Sequence, residues 1–349
     1  MTNKALAATL FGPEDLRMIE RDLGDLQPGF VRIAFGAGGV CGSDMHYFKH
    51  ARTGDFVVTS PLVLGHEIAG TVAAINGPAP GLKVGDRVAV NPSRWCGQCG
   101  YCKQGRPNLC EAIYFMGSAS KTPHMQGGFS SRFDAVPAQC IKIPDHVPFE
   151  AAALAEPLAV CLHAVGRAGD ITGKSVLVIG AGPIGLITMM AARQKGAGRV
   201  MMADIADGAL AYASKLGADQ TVNVAAGAEA LAAAVRANPV DVVYEASGSP
   251  AGVASAIASV KRGGTIVQIG NLPGGSFPAP VNAVMAKEID FFGTFRFSHE
   301  YFDAVEMIAT GAIDMLSVVT GARPLAEAVD AVKLAFDRSR SVKVVIKGA

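Results

Sequence analysis

The stretch that decides the fold is SVLVIGAGPIG, which runs from Ser175 to Gly185. Its first five residues form a short apolar run bounded by glycines, as expected of a buried strand in a parallel sheet. The pattern G-x-G-x-x-G follows directly and opens a segment of helical composition. Gly180 permits a tight turn, Gly182 lets the backbone approach a pyrophosphate, and Gly185 lets the helix pack against the sheet. The stretch therefore predicts a dinucleotide-binding turn at a helix N-terminus, where free N–H groups face the phosphates.

The choice between the two nicotinamide dinucleotides depends on the end of the next predicted strand. Asp204 lies there, about 20 residues after the turn, at the offset typical of a ribose-binding acid. Its carboxylate would accept hydrogen bonds from ribose hydroxyls and repel a 2′-phosphate, and residues 205–207 supply no cation. We therefore predict NAD rather than NADP, with Pro183 and Ile184 as further cofactor-binding residues. The alternative is an unrelated glycine turn, with Asp204 as a plain helix N-cap.

Strand-like and helix-like segments alternate on both sides of this turn. This alternation predicts an α/β fold with a doubly wound parallel sheet over residues 151–296. The predicted strands after the turn are Arg199–Ile205, Val240–Ala246 and Thr265–Ile269, and the predicted helices are Ile184–Gly196, Asp207–Leu216 and Ala251–Val260.

The rest of the chain has a different composition. Residues 1–150 contain short β-like runs separated by glycine and proline, which predicts an irregular β-rich domain in which helices are unexpected. Residues 297–349 contain two helical segments and end in a β-branched run, Val342–Ile346. We expect this last strand to return to the first domain.

Composition excludes several classes of function. The formal net charge is +1, from 31 lysines and arginines against 30 acidic residues, without a basic block. Neither nucleic acid nor a membrane surface is therefore expected as a partner. No apolar run reaches membrane-spanning length, and the N-terminus lacks the core of a signal peptide. We expect a cytoplasmic location.

Four of the seven cysteines crowd into one short segment. A secreted disulfide framework would spread its cysteines, whereas four thiolates at this spacing can close a tetrahedron around Zn²⁺. An iron–sulfur cluster is the rival interpretation, but its fourth cysteine normally comes sooner and precedes proline, whereas Glu111 stands here. Unrelated buried thiols are the third interpretation. We predict a structural zinc site formed by Cys96, Cys99, Cys102 and Cys110.

A second metal site is suggested by two short segments of the first domain. Cys41 and His66 are suitable zinc ligands, and Glu67 can supply an oxygen. Three protein ligands with one open position are typical of a catalytic zinc. Taken singly, Cys41 is more simply explained as a small buried residue and His66 as a hydrogen-bonded turn histidine.

The order of these motifs along the chain resembles the zinc-containing medium-chain dehydrogenases, and within them the sorbitol dehydrogenase-like polyol branch. The resemblance implies a GroES-like catalytic domain built from both chain ends around a Rossmann domain. It also implies two zinc ions per chain, NAD, and a homodimer or homotetramer. The motifs that carry it are Cys41–His46, Gly65–Glu67, the four-cysteine segment, Ala155–Pro157 and Gly180–Gly185.

The resemblance assigns roles around the catalytic metal. It makes Cys41, His66 and Glu67 the zinc ligands. Glu156 stands where ethanol-type relatives have a second cysteine, beside the metal, and direct coordination and contact through a water both stay open. Asp44 matches an acid that orients the ring of His66, as zinc-bound histidines generally require.

The resemblance also assigns the proton relay and the substrate pocket. Ser43 and His46 match the relay positions, and Tyr47, Phe115 and Arg296 match positions that line the pocket. The substrate class implied is a sugar acid or polyol. L-idonate oxidised at C5 to 5-keto-D-gluconate is the first expectation, and sorbitol or xylitol is the second.

Two further interpretations are carried forward. Lys121 and His124 are candidates for binding an acid substrate, although Lys121 reads more simply as a solvated surface residue. In a different class, the chain would be a zinc-stabilised protein that binds NAD without catalysis.

Overall fold

The computed structural model describes residues 3–348. The chain divides into two compact units. One runs from the first described residue to Glu156 and resumes from Tyr301 to the last described residue. The other is Pro157–Glu300.

The strands are, in chain order, β1 (Lys4–Gly12), β2 (Asp15–Asp22), β3 (Phe30–Gly39), β4 (Arg52–Thr53), β5 (Phe56–Val57), β6 (Leu62–Val63), β7 (Glu67–Asn76), β8 (Arg87–Val90), β9 (Ser93–Arg94), β10 (Tyr114–Phe115), β11 (Arg132–Ala135), β12 (Cys140–Lys142), β13 (Ser175–Ile179), β14 (Arg199–Asp204), β15 (Gln220–Asn223), β16 (Val240–Glu245), β17 (Val260–Gln268), β18 (Asp290–Gly293), β19 (Val319–Pro324) and β20 (Lys343–Lys347). The helices are α1 (Gly42–His50), α2 (Gly100–Lys103), α3 (Phe149–Ala153), α4 (Ala155–Arg167), α5 (Pro183–Gln194), α6 (Asp207–Lys215), α7 (Glu229–Ala237), α8 (Pro250–Ser259), α9 (Val281–Ala286), α10 (Glu300–Ala309) and α11 (Ala328–Phe336).

The first unit is organised around a sheet in the order β12-β8-β7-β3-β20-β19, with β11 also paired to β3. The C-terminal strand β20 runs antiparallel to β3, which joins the end of the chain to this sheet. Antiparallel pairing of β3 and β7 sets Gly39 opposite Glu67. This register brings the segment after β3 beside the segment before β7, and both carry predicted metal ligands.

A helix in this first unit corrects one sequence-based expectation. Helices were unexpected in residues 1–150, yet α1 spans nine residues. Its N-terminus is satisfied by a capping box, in which the Asp44 side chain accepts from the backbone N–H of Cys41. The helix ends at Ala51, which adopts a left-handed conformation with φ 48°. An acid three residues after a cap position was the signal available in the sequence.

The second unit contains the parallel sheet that the sequence predicted. Its strand order is β15-β14-β13-β16-β17-β18, and every pairing is parallel. The α/β fold class is thus confirmed. The chain proceeds outward from β13 through β14 to β15 and then continues on the other side of β13 with β16. The topological switch point, where ligands bind in doubly wound sheets, therefore lies between β13 and β16.

No helix within residues 3–348 combines the length and apolar character needed to cross a bilayer.

Candidate active site

The three predicted ligands of the catalytic metal lie together. Cys41 caps α1 immediately after β3, and His66 and Glu67 lie at the start of β7. Their ligand atoms, a thiol sulfur, a ring nitrogen and a carboxylate oxygen, all lie within 4.8 Å of one another. His66 and Glu67 are buried, with 5% and 0% of their surface exposed. The sheet register thus places Cys41 beside two donors that follow it by 25 and 26 residues in sequence.

Asp44 ties the two ligand-bearing segments to each other. One oxygen accepts from the backbone N–H of Cys41 at 3.0 Å, and the other accepts from that of Gly65 at 3.2 Å. The second oxygen also lies 3.7 Å from Nδ1 of His66. Nε2 is the other ring nitrogen, and it lies 3.5 Å from the Ser43 hydroxyl. An acid on the Nδ1 side fixes which ring nitrogen can face a metal.

Lys343 is a functional candidate that sequence reasoning missed. It lies on β20 with 3% of its surface exposed, and its ammonium donates to Oε1 of Glu67 at 2.6 Å and to the carbonyl of Val40 at 2.9 Å. The other carboxylate oxygen, Oε2, is buried and has no hydrogen-bond partner among the described residues. The sequence signal was a lysine inside the β-branched run Val342–Ile346.

The charges in this site favour a bound cation. Burial raises the pKa of the Cys41 thiol to about 11, and the nearby charge of Glu67 adds to the effect. Burial likewise raises the pKa of Glu156 to about 8, with Glu67 and Cys41 again opposing its ionisation. A divalent cation offsets the cost of ionising such groups. The orphaned Oε2 of Glu67, a thiol and an imidazole form a donor set that fits Zn²⁺.

The two predicted relay residues lie on one face of α1. Ser43 and His46 are three positions apart on the helix, which places them on the same side. Ser43 is half-buried beside the ring of His66, whereas His46 is exposed. The pair therefore leads from the metal ligands toward the surface of this unit.

The predicted pocket residues have different surroundings. The Phe115 ring is 5.5 Å from the His66 ring, next to the metal ligands. Tyr47 is only 2% exposed, and its hydroxyl accepts from the backbone N–H of Ala119 at 3.0 Å. Arg296 lies in the other unit and adopts a left-handed backbone conformation with φ 53°. The assignment of these three residues to a pocket stays a prediction.

His124 and Lys121 already have partners inside the first unit. Nε2 of His124 accepts from the backbone N–H of Thr59 at 2.9 Å, and Nδ1 donates to the carbonyl of Lys121 at 2.8 Å. The Lys121 ammonium donates to the carbonyl of Ala112 at 2.9 Å. Both ring nitrogens of His124 are thus used by the fold, which gives the residue a structural explanation.

The four predicted zinc-binding cysteines converge as well. Their sulfurs lie within 4.8 Å of one another, and all four are free thiols. Backbone N–H groups of Cys102 and Glu111 lower the pKa of the Cys99 thiol to about 6. The segment is closed at its base by pairing of β9 with β10, which sets Tyr114 opposite Arg94. Burial and the neighbouring thiols raise the pKa of Cys102 to about 12, so it is the convergence of the four thiols that suits the cluster to a structural metal.

The dinucleotide turn has the geometry that its glycines predict. Gly180 adopts φ 100°, a conformation that favours glycine, and a Cβ on Gly185 would lie 1.7 Å from the carbonyl oxygen of Gly180. A Cβ on Gly182 would meet nothing within 4 Å, so space for a ligand remains there. Asp204 ends β14, and its carboxylate accepts from the backbone N–H of Ala181 at 2.6 Å. Pro183 and Ile184 begin α5 at this turn.

Comparison with known proteins identifies the family of the chain. Residues 27–145 match the model of the alcohol dehydrogenase GroES-like domain, and residues 183–310 match the model of the zinc-binding dehydrogenase family. Sorbitol dehydrogenase of Bacillus subtilis is 35% identical over 343 residues, which cover 97% of this chain and 96% of that protein. The chain belongs to the zinc-dependent medium-chain dehydrogenases. The resemblance recognised from the sequence motifs is therefore confirmed.

Other members of the family are similar over their whole length. L-idonate 5-dehydrogenase (NAD(P)(+)) of Escherichia coli K12 is 36% identical over 344 residues, covering 99% of each protein. The crystal structure of L-idonate 5-dehydrogenase from Escherichia coli K-12 superposes with a TM-score of 0.93 at 32% identity and 99% coverage of both chains. These comparisons identify the chain as a zinc-dependent polyol or sugar-acid dehydrogenase, an enzyme that acts on small molecules.

Cofactor-bound members support the dinucleotide assignment. A zinc-binding dehydrogenase from Sinorhizobium meliloti 1021 bound to NADP superposes with a TM-score of 0.90 at 29% identity, covering 99% of each chain. An alcohol dehydrogenase from Escherichia coli CFT073 complexed with NADH gives 0.89 at 26% identity, again covering 99% of each chain. The cofactors of this chain are zinc and a nicotinamide dinucleotide, as predicted.

Proposed function

We propose that this dehydrogenase oxidises L-idonate at C5 to 5-keto-D-gluconate, with NAD as the acceptor. The observation that carries the proposal is the convergence of Cys41, His66 and Glu67, with the buried carboxyl of Glu156 under the influence of their charges. Glu156 stands where ethanol-type relatives have a second cysteine, and this difference favours polyols and their acids as substrates. Similarity to an L-idonate 5-dehydrogenase over 99% of both proteins supports the choice of substrate.

Residues of the first unit have separate roles in the proposed reaction. Bound zinc supplies Lewis-acid chemistry, which lowers the pKa of the substrate hydroxyl. Ser43 accepts the proton that the hydroxyl loses, and exposed His46 on the same face of α1 passes a proton to solvent. A nicotinamide dinucleotide held at the turn Gly180–Gly185 would supply the acceptor for the hydride from C5. Asp44 holds His66 and Cys41 in place during the reaction.

Sugar-acid recognition is assigned to Arg296 and Phe115. A guanidinium can hold a carboxylate or a pair of hydroxyls through two parallel hydrogen bonds. A left-handed backbone at a residue other than glycine costs conformational energy, and such costs cluster at functional positions. Phe115 contributes an apolar wall beside the His66 ring.

The substrate is tested with a panel of aldonates and polyols, each offered with NAD while NADH absorbance is followed. L-idonate should give the highest kcat/KM. Strong turnover of sorbitol or xylitol with none of L-idonate would overturn the choice of substrate and favour the polyol alternative.

The zinc mechanism is tested with C41S and H66A. Both variants should lose turnover while NADH binding survives, because the ligands contribute to chemistry and the dinucleotide turn lies in the other unit. C140S is a matched control, since Cys140 is buried outside both cysteine-containing clusters. Near-normal turnover by C41S or H66A would contradict the mechanism.

A chain that binds NAD without catalysis is the alternative from another class. Metal content distinguishes the enzyme from the binding protein. The enzyme requires two zinc ions per chain, whereas the binding protein requires only the zinc ion held by the four cysteines. One zinc per fully folded chain, together with no turnover on the panel, would favour the alternative.

We also propose that the chain assembles as a homodimer or a dimer of dimers through β18. This strand is the last in its sheet, and within residues 3–348 it pairs with β17 alone. Phe291 on β18 is 40% exposed, and Phe295, Val281 and Met285 nearby in the chain are 49%, 66% and 72% exposed. An unpaired edge with apolar side chains favours pairing with another copy.

A further inference from the structure

Glu245 is a fully buried carboxylate that the proposed reaction does not use. It ends β16, and none of its surface is exposed. Its Oε1 accepts from the backbone N–H of Ser247 at 2.9 Å and from the hydroxyl of the same residue. Its Oε2 accepts from the backbone N–H of Gly248 at 3.2 Å and from the side-chain amide of Gln268 at 2.6 Å. All of these partners are donors, so both oxygens act as acceptors.

These contacts join two loops at the carboxyl edge of the parallel sheet. Ser247 and Gly248 belong to the loop after β16, and Gln268 ends β17 and leads into the next loop. The carbonyl of Glu245 extends the connection, since it accepts from the backbone N–H groups of Ile269 at 2.8 Å and Gly270 at 2.9 Å. The loops touch so closely that a Cβ on Gly270 would lie 2.2 Å from the nitrogen of Gly248. One carboxylate therefore fixes the spacing of two loops.

The first of these loops also contacts the dinucleotide turn. The N–H of Ala246 donates to the carbonyl of Ile179 at 2.8 Å, and a Cβ on Gly180 would lie 2.8 Å from the nitrogen of Ser247. Glu245 thus ends β16 and Gly180 follows β13, and these two strands flank the switch point. The carboxylate stands directly behind the crevice where a dinucleotide binds.

The direction of the cofactor across the sheet follows from the residues already placed. The pyrophosphate binds at the N-terminus of α5, and Asp204 holds the adenosine ribose on the β14 side of β13. The other half of an extended dinucleotide must then lie on the opposite side of β13, over the ends of β16 and β17. These are the strands whose loops Glu245 connects.

We propose that Glu245 is a positioning residue for the nicotinamide half of the cofactor. It acts through the loops after β16 and β17, whose backbone it holds at the spacing that the nicotinamide ring requires. The inference rests on the assignment of NAD as cofactor. It does not depend on the substrate or on the zinc mechanism.

The test compares E245Q with the wild-type full-length chain for two ligands, NADH and ADP-ribose. The amide of glutamine turns one acceptor oxygen into a donor that faces other donors, which loosens the loops without a large change in volume. NADH has the nicotinamide ring, and ADP-ribose has the adenosine half, the pyrophosphate and the second ribose without that ring. The dissociation constant of NADH, measured by its fluorescence, should rise on the order of tenfold, because the amide nitrogen replaces an oxygen that accepts two hydrogen bonds. That of ADP-ribose should change less than twofold.

D241N is the matched control on the same strand. Asp241 lies near the opposite end of β16, where its carboxylate accepts from the backbone N–H of Ser175 at 2.7 Å. This variant also removes charge from a carboxylate that caps a backbone N–H group, but at the edge remote from the cofactor. It should leave binding of both ligands within twofold of wild type, whatever its effect on the unfolding temperature.

Three results would overturn the inference. The first is a dissociation constant for NADH in E245Q within twofold of wild type. The second is an equal loss of affinity for NADH and for ADP-ribose in E245Q. The third is a loss of NADH affinity in D241N as large as that in E245Q. Q268A removes the donor on the β17 side and should also weaken NADH binding. This second variant keeps the test decisive if E245Q does not fold. A wild-type chain that binds ADP-ribose and NADH equally poorly would overturn the cofactor assignment, and this inference with it.

Discussion

Lys343 is the residue that most changes how the metal site is understood. Its ammonium is buried against a carboxylate that also faces Cys41 and His66. A lysine this deeply buried is costly unless it is paired, so its charge is tied to that of Glu67. Among residues 3–348 the other oxygen of Glu67 has no hydrogen-bond partner, and we propose that it serves as a metal ligand.

We predict that K343M destabilises the zinc-depleted protein by about 3–5 kcal/mol, because it leaves the Glu67 carboxylate buried without a counter-charge. Added zinc should recover much of this loss, since the metal replaces the missing cation. Urea unfolding with and without zinc measures both effects. K347M is the control, because Lys347 lies on the same strand in an exposed pair with Glu150, where a cost of at most about 1 kcal/mol is expected. Equal destabilisation by the two variants would contradict the prediction.

Asp204 is a second single residue whose surroundings bear on function, here the choice between NAD and NADP. Its two oxygens accept from the backbone N–H groups of Ala181 at 2.6 Å and Ala206 at 2.9 Å, which hold the carboxylate at the end of β14. Residues 205–212 contain no lysine or arginine that could pair with a 2′-phosphate.

We predict that D204N lowers the ratio of kcat/KM for NAD to that for NADP on the order of tenfold, since it removes both an acceptor for ribose and a charge that repels phosphate. Steady-state kinetics with each cofactor measures the ratio. D207N, which changes the next acid along the chain, should leave it within twofold. A wild-type enzyme with the higher kcat/KM on NADP would refute the preference itself.

At the scale of elements, the four-cysteine segment depends on a metal more than on packing. Its helix α2 has only four residues and buries none of them. We infer that ordering of this segment depends on bonds from its four thiols to zinc, because its short helix buries no side chain of its own.

We predict that C99S loses one zinc ion per chain and unfolds at a lower temperature, because three remaining thiols no longer close the tetrahedron. Metal analysis and calorimetry measure the two effects. C161S is the control, since Cys161 is buried on α4 outside the cluster, and its zinc content should match that of wild type. An unchanged zinc content in C99S would show that the cluster holds no metal.

The helix α1 shows how one element can serve structure and chemistry together. Asp44 closes its capping box and at the same time approaches the His66 ring. Ser43 and His46 lie one helical turn apart because the capped backbone continues as a regular helix. Substituting Asp44 would therefore disturb the cap, the metal ligands and the relay at once.

At the scale of the whole molecule, assembly is proposed to depend on β18. We predict that F291K shifts the sedimentation coefficient toward that of a monomer, because a lysine ammonium at a paired edge is desolvated without a partner. F336K is the control, since Phe336 on α11 is also 40% exposed and lies in the other unit. A monomeric wild type, or equal effects of the two variants, would contradict the proposed interface.

The sequence by itself determined the features whose chemistry is contained in a short stretch. The dinucleotide turn and the four-cysteine cluster are of this kind, because glycine conformation, helix N-terminal polarity and ligand spacing act over a few residues. The alternation of strands and helices determined the parallel sheet for a similar reason. The spacing of apolar residues within each segment reflects which side of that segment is buried. Cys41, His66 and Glu67 were found through family resemblance rather than through spacing.

Only the tertiary structure decided which buried charges meet. Lys343 and Glu67 are 276 residues apart, and they pair because β20 and β7 both adjoin β3. Glu245 meets Gln268 because β16 and β17 are neighbours in the sheet. The identity of such partners depends on strand order and register, which no local pattern encodes. Burial then makes each of these pairings energetically necessary, because an unpaired charge inside the protein has no water to solvate it.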